Sequence, residues 1–417
     1  MKAEVLSIGD ELLIGQVINS NAAWIGEQLA RIGISVGRMT TVGDSLDDIL
    51  QAFERARSEC AVLIVTGGLG PTHDDRTREA VLRFFNTGLR LDEDALTDIE
   101  RFFAERKRPL SDRNRDQAMV PALARTLRNM RGTAPGFHIS DDRGQFFVLP
   151  GVPTEMMGMM ERDILPLLAS AAPTPRAVST LLSTGIPEST LADTLEGIDT
   201  LLPDTAVAFL PSLHGVRLRL TATRDTADAA RHAVDTLADF VLTRVGEHVY
   251  GRDTESMEQV LVALLRAQGK LLAVAESCTG GLITDRLTNV PGSSDCLERG
   301  VVAYSNRCKS DMLGVPPLLI AEHGAVSREV AEAMAEGVRL RAGTDIGIST
   351  TGVAGPSGGS DEKPVGLVWI GISSPEGTEA RAFHFGTDRL TVKARATQAA
   401  LDAVRRLLLH LPLFSTQ

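Results

Sequence analysis

Strand-like and helix-like stretches alternate in the first part of this 417-residue chain. An apolar run at residues 3–8 is followed by helical spacing over 21–32, a strand pattern over 34–41 and a second helical stretch over 46–58. Because parallel strands need crossover helices that cover the sheet, this alternation predicts an α/β domain with a parallel sheet covered on both faces. The chain is too long for one hydrophobic core, so we expect two or three domains.

A second strand–helix alternation fills the last part of the chain and predicts another complete α/β unit. Between the two lie a linker-like stretch, AAPTPRA at residues 171–177, and a middle piece with a strand pattern over 215–222 and a helical pattern over 227–245. The middle piece is typical of a small α+β unit. We therefore predict three domains, at residues 1–168, 172–250 and 254–417.

Composition excludes several classes of protein. The net charge of −11 argues against a nucleic-acid-binding protein, because such proteins usually carry a basic stripe. The four cysteines show neither CxxC pairing nor the spacing of zinc ligands, which is typical of reduced thiols in the cytoplasm. The sequence has no apolar h-region of a signal peptide and no run of about 18 apolar residues. We expect a cytoplasmic protein that binds neither nucleic acid nor membrane.

The segment AESCTGG, at residues 275–281, lies between a predicted strand and a predicted helix. Ser277 would lie at the carboxyl edge of the sheet, where open α/β sheets bind ligands, and the following backbone N–H groups would be unpaired donors for an oxyanion. Gly280 and Gly281 would let a ligand approach closely. An ordinary N-cap serine followed by turn glycines fits the local pattern equally well.

A second polar cluster, YSNRCK at residues 304–309, is expected where the next strand ends. Lys309 could act as a base toward a serine if burial or nearby cations lower its pKa, and Tyr304 could relay or donate a proton. A strand-end tyrosine and a solvated surface lysine are the alternative interpretation. Cys278 is a rival nucleophile, because a thiolate needs less activation than a hydroxyl.

A glycine-rich stretch, TTGVAGPSGG at residues 350–359, follows a third predicted strand of this segment. Its glycines could cradle a phosphate or a ribose, whereas a plain surface loop is the alternative. The choice between a ligand-binding loop and a plain surface loop therefore depends on the two segments described above.

Together these segments resemble the CinA family, whose C-terminal domain is a pyridine nucleotide deamidase. The resemblance rests on AESCTGG at 275–281, AYSNRCK at 303–309, HGAVS at 323–327, TGVAGPSGG at 351–359 and KPVG at 363–366. It implies hydrolysis of nicotinamide mononucleotide (NMN) to nicotinic acid mononucleotide and ammonia, as a step of pyridine nucleotide salvage. It implies no cofactor for this reaction.

The resemblance also assigns roles to individual residues. Ser277 would be the nucleophile, and either Tyr304 or Lys309 would be its immediate base. The implied substrate-binding residues are Cys278, Thr279, Gly280, Gly281, Thr351, Gly352, Ala354, Gly355, Arg389, Lys393 and Arg395.

The first segment carries a phosphate-cradle pattern. TGGLGPTHDDRT at residues 66–77 follows a buried strand and precedes a helix, so its glycines could hold a phosphate. Asp74 and Asp75, beside His73, could hold a divalent cation against a diphosphate. Capping of the helix start by these residues is equally compatible with the pattern.

This first segment resembles the molybdopterin-binding (MoaB/MogA-like) fold, a three-layer α/β domain, as it occurs in full-length CinA proteins. The resemblance rests on SIGDELLIGQVINSN at 7–21, TGGLGPTHDDRT at 66–77, NRDQAMVP at 114–121 and LPGVPTEM at 149–156. In CinA proteins this domain is associated with metal-dependent ADP-ribose pyrophosphatase activity. Leu69 replaces the threonine common in molybdopterin enzymes, which speaks against molybdopterin chemistry. The implied nucleotide or phosphate site comprises Gly9, Asp10, Glu11, Asn21, Asp44, Thr66, Gly67, Gly68, Gly70, Pro71 and Thr72, with Asp74 and Asp75 as ligands of a divalent metal.

The middle segment resembles the KH-like connector of CinA proteins. Because it shows no basic GxxG loop, we do not expect it to bind nucleic acid. The family resemblance implies a homodimer with NMN and ADP-ribose as its small-molecule partners. Two alternative functions stay open: a molybdopterin-binding protein, suggested by the N-terminal fold, and a non-enzymatic partner in competence or the DNA-damage response, suggested by the family name.

Overall fold

The computed structural model describes residues 2–72, 75–171 and 175–414. The chain divides into two compact units, one made of residues 1–178 and 222–232 and the other of residues 179–221 and 233–417. Within the described ranges, no helix combines the length and the apolar character that crossing a bilayer requires. All four cysteines are free thiols.

The first unit is built on a six-stranded sheet. Its strands and those of an accompanying two-stranded ribbon are β1 (Lys2–Ile8), β2 (Ser35–Val42), β3 (Val62–Thr66), β4 (Leu89–Leu91), β5 (Met119–Pro121), β6 (Arg125–Leu127), β7 (Gly136–Asp141) and β8 (Gly144–Leu149). The order in the large sheet is β2-β1-β3-β8-β7-β6, and β4 pairs with β5.

The parallel sheet predicted from the alternation is confirmed for four of these strands. β2, β1, β3 and β8 pair in parallel, whereas β7 and β6 add to the edge in antiparallel orientation. Only two residues separate β7 from β8, and such a short connection can join antiparallel strands alone. The sheet is therefore mixed.

Helices cover both faces of this sheet. They are α1 (Asp10–Leu13), α2 (Ser20–Arg31), α3 (Leu46–Glu59), α4 (Thr77–Phe84), α5 (Glu93–Glu105), α6 (Asp112–Arg115), α7 (Pro153–Met159) and α8 (Leu165–Ser170), with a π-helical turn at Met160–Ile164 between the last two. Successive residues of β1 face opposite sides, so Val5 packs with Ile25 of α2 and Leu6 packs with Phe53 of α3.

The connector is a small α+β arrangement. Its elements are β9 (Arg176–Ser183), α9 (Glu188–Thr194), β10 (Thr205–Ser212), β11 (Gly215–Thr223), α10 (Ala227–Val245) and β12 (Val249–Arg252). The strands form a four-stranded sheet in the order β10-β11-β9-β12. Thus the expected α+β character of the middle segment is present.

The rest of the second unit is an α/β domain. Its strands are β13 (Leu272–Glu276), β14 (Leu297–Val302), β15 (Ile346–Gly352), β16 (Leu367–Ser374) and β17 (Gly377–His384). Its helices are α11 (Met257–Gln268), α12 (Leu282–Thr288), α13 (Asn306–Leu313), α14 (Pro317–His323), α15 (Arg328–Ala342) and α16 (Arg389–Leu408).

The sheet of this domain runs in the order β14-β13-β15-β16-β17. β14, β13 and β15 are parallel, and β16 and β17 continue the sheet in antiparallel orientation. The carboxyl ends of the three parallel strands therefore meet at one edge, which brings the segments after β13, β14 and β15 together.

Candidate functional site

A serine and a lysine from two different segments meet at this edge. Ser277 directly follows β13, and Lys309 lies in the first turn of α13. Lys309 Nζ donates hydrogen bonds to Ser277 Oγ at 2.9 Å and to the Ala303 carbonyl oxygen at 2.9 Å. The fold thus supplies the contact that a serine–lysine pair needs for proton transfer.

Lys309 reaches the serine because the chain turns into a helix here. The polar cluster at residues 304–309 follows the end of the strand, since β14 ends at Val302 and α13 begins at Asn306. Ser305 caps this helix by accepting a hydrogen bond from the Cys308 backbone N–H at 3.2 Å. The lysine therefore projects from a helix start rather than from a strand end.

The Lys309 side chain is buried, with 2% of the residue exposed. Burial lowers its pKa from the ordinary lysine value, against an opposing effect of the Cys278 and Cys308 thiols. A lowered pKa increases the fraction of neutral amine, and only the neutral amine can accept the proton of a hydroxyl.

A buried carboxylate caps the helix that follows Ser277. Glu276 accepts hydrogen bonds from the backbone N–H groups of Gly281 at 2.9 Å, Ile283 at 3.1 Å and Thr284 at 2.9 Å, and from Thr284 Oγ1 at 2.8 Å. The expectation that the N-terminal donors of this helix are all unpaired is therefore wrong, because the preceding residue satisfies three of them.

Two backbone donors beside the serine stay available. The Ser277 N–H donates to the Thr350 carbonyl oxygen at 2.9 Å, and the Gly280 N–H donates to the Ser277 carbonyl oxygen at 3.1 Å. The N–H groups of Cys278 and Thr279 have no backbone or side-chain oxygen as acceptor within the described part of the chain. Of the donors predicted to hold an oxyanion, these two lack an oxygen acceptor among the described residues, and both lie near the Cys278 thiol.

The thiol next to the serine is held in its neutral form. Cys278 is 6% exposed, and burial raises the pKa of its thiol to about 12. At neutral pH almost no thiolate exists at such a pKa, so the reactive form that would make Cys278 a rival nucleophile is scarce.

Tyr304 lies apart from the serine–lysine contact. It is 61% exposed, and its hydroxyl oxygen accepts a hydrogen bond from Arg389 Nη2 at 3.1 Å. Arg389 Nη1 also donates to the Gly355 carbonyl oxygen at 2.8 Å. Arg389 therefore joins the segment after β14 to the glycine-rich loop, and Tyr304 is not placed between Lys309 and Ser277.

The glycine-rich loop is fixed to the same edge. Thr351 Oγ1 donates to the Ala325 carbonyl oxygen at 2.7 Å, and Thr350 Oγ1 lies 2.8 Å from Thr279 Oγ1. A Cβ placed on Gly352 would lie 2.6 Å from the Leu367 carbonyl oxygen, so the two backbones approach closely here. Ala354 is buried. These contacts hold the loop beside the segment that carries Ser277.

The basic residues predicted on the last helix do not all face this site. Lys393 Nζ would lie 3.6 Å from a Cβ placed on Gly280, whose φ of +64° also favours glycine. Arg395 instead lines a cavity formed with the connector. Lys393 therefore lies near the serine segment and Arg389 contacts the glycine-rich loop, whereas Arg395 lies at a different cavity.

The first unit has its own cleft, of about 380 Å³, at the carboxyl ends of β1 and β3. The predicted residues that line it are Glu11, Asn21, Thr66, Gly67, Gly68, Gly70 and Asp75. Asn21 Nδ2 donates to the Gly151 carbonyl oxygen at 2.7 Å and to Thr66 Oγ1 at 3.2 Å. Asn21 Oδ1 and Ser7 Oγ are buried and have no hydrogen-bond partner among the described residues.

Other predicted residues of this region lie outside the lining of the cleft, namely Gly9, Asp10, Asp44, Pro71 and Thr72. The Asp10 backbone N–H donates to Asp44 Oδ2 at 3.1 Å, and the Asp44 N–H donates to Asp10 Oδ1 at 3.2 Å. Thr72 donates to Asp75 Oδ2 through its backbone N–H at 2.8 Å. The predicted metal ligand Asp74 falls outside the described residues, and in the described ranges no group of three or more His, Cys, Asp or Glu side chains is placed to hold a metal ion.

Comparisons with known proteins agree with this architecture. Three family profiles match: "CinA C-terminal domain" over residues 254–408, "Probable molybdopterin binding domain" over 4–170 and "Damage-inducible protein CinA KH domain" over 179–251. A CinA-like protein of Chlorobium luteolum is 44% identical over 412 residues, which cover 96% of this chain and 95% of the relative. The chain belongs to the CinA family. The predicted combination of a MoaB-like domain, a KH connector and a CinA C-terminal domain is confirmed.

Other CinA proteins are similar over the whole chain or over one domain. A CinA-like protein of Salinibacter ruber is 43% identical over 412 residues, covering 98% of this chain and all of the relative. The crystal structure of the competence/damage inducible protein CihA from Agrobacterium tumefaciens is 36% identical in sequence, with a TM-score of 0.35, and covers 37% of this chain and 96% of that one.

In this CinA chain, sequence reasoning missed three residues of the two sites. Glu276 was not singled out, although a glutamate directly before the serine of AESCTGG could have indicated a cap. Ser7 and Glu155 both line the N-terminal cleft. Glu155 accepts a hydrogen bond from Asn129 Nδ2 at 2.6 Å, and burial raises the pKa of its carboxyl group. Both residues lie inside the motifs that carry the resemblance, so the signal was present.

Proposed function

We propose that this CinA-family protein hydrolyses the carboxamide of NMN and releases ammonia and nicotinic acid mononucleotide. The observation that carries the proposal is the 2.9 Å contact between Lys309 Nζ and Ser277 Oγ, with both residues buried. A serine needs a base to become a nucleophile, and a lysine whose pKa is lowered by burial can be that base.

In the first half of the reaction, neutral Lys309 takes the hydroxyl proton while Ser277 Oγ bonds to the carboxamide carbon. The carbonyl oxygen becomes an oxyanion and accepts hydrogen bonds from the N–H groups of Cys278 and Thr279. The Lys309 ammonium then protonates the amide nitrogen, the C–N bond breaks, and ammonia leaves. The nicotinoyl group stays on Ser277 as an ester.

In the second half, water replaces ammonia in the same geometry. Lys309 takes a proton from the water as its oxygen bonds to the ester carbon, and the carbonyl oxygen again accepts the two backbone hydrogen bonds. The bond to Ser277 Oγ breaks, and Lys309 returns the proton to this oxygen. One water is consumed for each ammonia released, and the proposed steps use groups of the chain alone.

The basic groups near the site support a substrate with a phosphate. Arg389 uses two of its five N–H donors, on Gly355 and Tyr304, so others are available to a phosphate oxygen. Lys393 adds a second positive charge near Gly280. In this proposal Tyr304 positions Arg389, and Lys309 is the base.

The experiment that tests the reaction is incubation of the purified chain with NMN, with the products separated by chromatography and ammonia measured in parallel. We expect equal amounts of ammonia and nicotinic acid mononucleotide, and release that persists with a chelator. Nicotinamide, which lacks both the ribose and the phosphate of NMN, is expected to react far more slowly. Absence of ammonia from well-folded protein would exclude the proposed function.

A second activity, hydrolysis of the diphosphate of ADP-ribose, is proposed for the first unit. It is favoured by a cleft of about 380 Å³ that combines a glycine-rich turn with the buried, unpartnered oxygens of Ser7 and Asn21. The Ser7 hydroxyl can donate or accept a hydrogen bond, and the Asn21 Oδ1 can accept one, so a ribose or a nucleotide could pair with both. A buried polar atom without a hydrogen-bond partner costs free energy, and a bound ligand would remove that cost.

The expected divalent metal fits the chemistry of this cleft. Mg²⁺ is usually held by one or two carboxylates together with substrate phosphates, and the carboxylates of Glu11 and Asp75 both line the cleft. When bound, the metal would neutralise charge on the diphosphate. The test is release of AMP from ADP-ribose. We expect chelator to abolish it and Ser277→Ala to leave it unchanged, whereas chelator-resistant release would contradict the metal requirement.

A further inference from the structure

A separate cavity of about 480 Å³ lies within the second unit, between the connector and the C-terminal α/β domain. The loop after β9, the turn between β10 and β11, the end of β17 and the middle of α16 form its walls. Its volume falls within the range of roughly 300–1,000 Å³ that is typical of small-ligand sites. Neither Ser277 nor Lys309 lines it.

One wall of the cavity is aromatic. The rings of Phe383 and Phe385 are nearly parallel, with an interplanar angle of 6° and centroids 5.5 Å apart. Phe414 meets Phe383 edge to face, at a centroid distance of 5.8 Å. This chain has few aromatic residues, 4% of its sequence, so three rings at one cavity form a concentrated surface for a flat ligand.

A buried amide at the cavity has a hydrogen-bond partner on its oxygen but none on its nitrogen among the described residues. Gln398 is 2% exposed, and its Oε1 accepts a hydrogen bond from Arg286 Nη2 at 3.0 Å. Its Nε2 is buried and has no acceptor among the described residues. Because Oε1 accepts from a cation, exchanging the positions of the amide oxygen and nitrogen would break that bond, so a residue of the cavity lining holds a buried donor that needs an acceptor.

A free cation completes the set of groups. Arg395 lines the cavity and is exposed, and no carboxylate pairs with it in the part of the chain that the structure describes. The buried carboxylate of Asp402 already pairs with Arg405 at 2.8 Å and with Arg406 at 2.9 Å. Glu188, on the opposite wall, is the remaining carboxylate of the lining. The Arg395 guanidinium is therefore free to bind an anion.

We propose that this cavity binds a mononucleotide, with its base against the phenylalanine wall, an acceptor on the base facing Gln398 Nε2, and its phosphate on Arg395. Every nucleobase has a flat face and at least one acceptor, and a phosphate provides the anion. The inference does not depend on either proposed catalytic activity, because it rests on groups that belong to neither site.

The test is calorimetric titration of the full-length chain with AMP and with UMP. Arg395→Ala removes the cation at an exposed position, and we expect it to weaken binding about tenfold or more. Gln398→Glu keeps the oxygen that binds Arg286 but replaces the free donor with an acceptor, so it is expected to weaken binding as strongly. Arg328→Ala removes an exposed arginine outside the cavity and serves as the matched control.

The outcomes separate this site from the others. Loss of affinity in both cavity variants, with unchanged affinity in the control, supports the proposal, and adenosine and ribose 5-phosphate should each bind more weakly than AMP. Equal affinity of the wild type and Arg395→Ala for both nucleotides, or binding of neither nucleotide, would overturn it.

Discussion

The amine of Lys309 lies where a positive charge is costly, and this cost gives the residue its proposed role. Burial lowers its pKa, and among the described residues the groups that oppose this effect are the thiols of Cys278 and Cys308 rather than a carboxylate. The hydrogen bonds to Ser277 and to the Ala303 carbonyl oxygen fix the amine in position.

This pKa predicts the pH dependence of ammonia release. The neutral amine is the active form, so kcat/KM should rise with pH along a limb whose midpoint lies below the ordinary lysine value of about 10.4. Lys309→Arg keeps the charge but cannot lose its proton, and it should lower kcat/KM by roughly 10²–10⁴-fold. Steady-state rates at a series of pH values test both points. Substantial activity of Lys309→Arg with the same pH profile would show that another group is the base.

The sequence motifs predicted which residues belong to this site, but not which of them contact one another. The motifs indicated a serine, a lysine and a tyrosine near one sheet edge, and left open which of the last two is the immediate base. Geometry favours Lys309, because the Tyr304 hydroxyl is engaged by Arg389. No local pattern encodes that choice, since it depends on where α13 begins relative to β13.

At the scale of single elements, the start of α12 depends on Glu276. Its carboxylate accepts four hydrogen bonds while fully buried at the end of β13. The cap connects the strand before the serine to the helix after it. It therefore holds the turn that carries Ser277, without using the backbone N–H groups of Cys278 and Thr279, which are the donors proposed for the oxyanion.

Glu276→Gln should reveal this dependence. The amide nitrogen cannot accept a hydrogen bond, so at least one donor of α12 would be left unpaired, at a cost of about 1–3 kcal/mol in the free energy of unfolding. Urea unfolding is the measurement, and Glu298→Gln, an exposed position on β14, is the control, with an expected change within about 0.5 kcal/mol. Equal stability of the two variants would contradict the cap.

Elements with regular apolar spacing were predicted with shifts of about one residue, as for α2 and α3. The helix α13 was missed because its sequence, NRCKSDML, has apolar residues only toward its end. The strand β17 was missed because polar residues alternate weakly with small ones in GTEARAFH. Periodicity is informative only where one face is clearly apolar.

At the scale of the whole molecule, the second unit depends on a buried charge network. Asp402 Oδ1 accepts from Arg405 Nε at 2.8 Å, and Asp402 Oδ2 accepts from Arg406 Nε at 2.9 Å. Arg405 Nη2 also donates to the Glu247 carbonyl oxygen at 2.7 Å, which connects α16 to the connector. Both guanidinium groups are almost fully buried.

Asp402→Asn would leave buried Arg405 without its carboxylate partner, and would leave buried Arg406 with the partly exposed Glu247 carboxylate at 3.3 Å as its remaining ion pair. We expect a loss of about 3–5 kcal/mol in the unfolding free energy of this unit, because breaking a buried ion pair leaves an uncompensated charge. Asp311→Asn, in an exposed pair with Arg307, should change stability by about 0–1 kcal/mol. Chemical unfolding of both variants checks the contrast, and a similar small effect for each would argue against the network.

The overall architecture was accessible from sequence because motifs and alternation agree over most of the chain. Strand–helix alternation predicted the two α/β segments, and the family motifs gave their identity. Each α/β sheet also has antiparallel strands at one edge, β7 and β6 in the first and β16 and β17 in the second. Strand–helix alternation could not predict them, because it describes only parallel pairing. The cavity beside Arg395 depends on the packing of α16 against the connector, which no single segment encodes.

The most direct test of the central claim compares ammonia release from NMN by Ser277→Ala and by Cys278→Ala. The two residues are neighbours, so the pair distinguishes the nucleophile from general disturbance of the turn. We expect Ser277→Ala to lose activity by roughly 10³-fold or more, whereas Cys278→Ala should keep activity within about tenfold of the wild type. Release that survives in Ser277→Ala but disappears in Cys278→Ala would contradict the assignment of Ser277 and make the thiol the nucleophile.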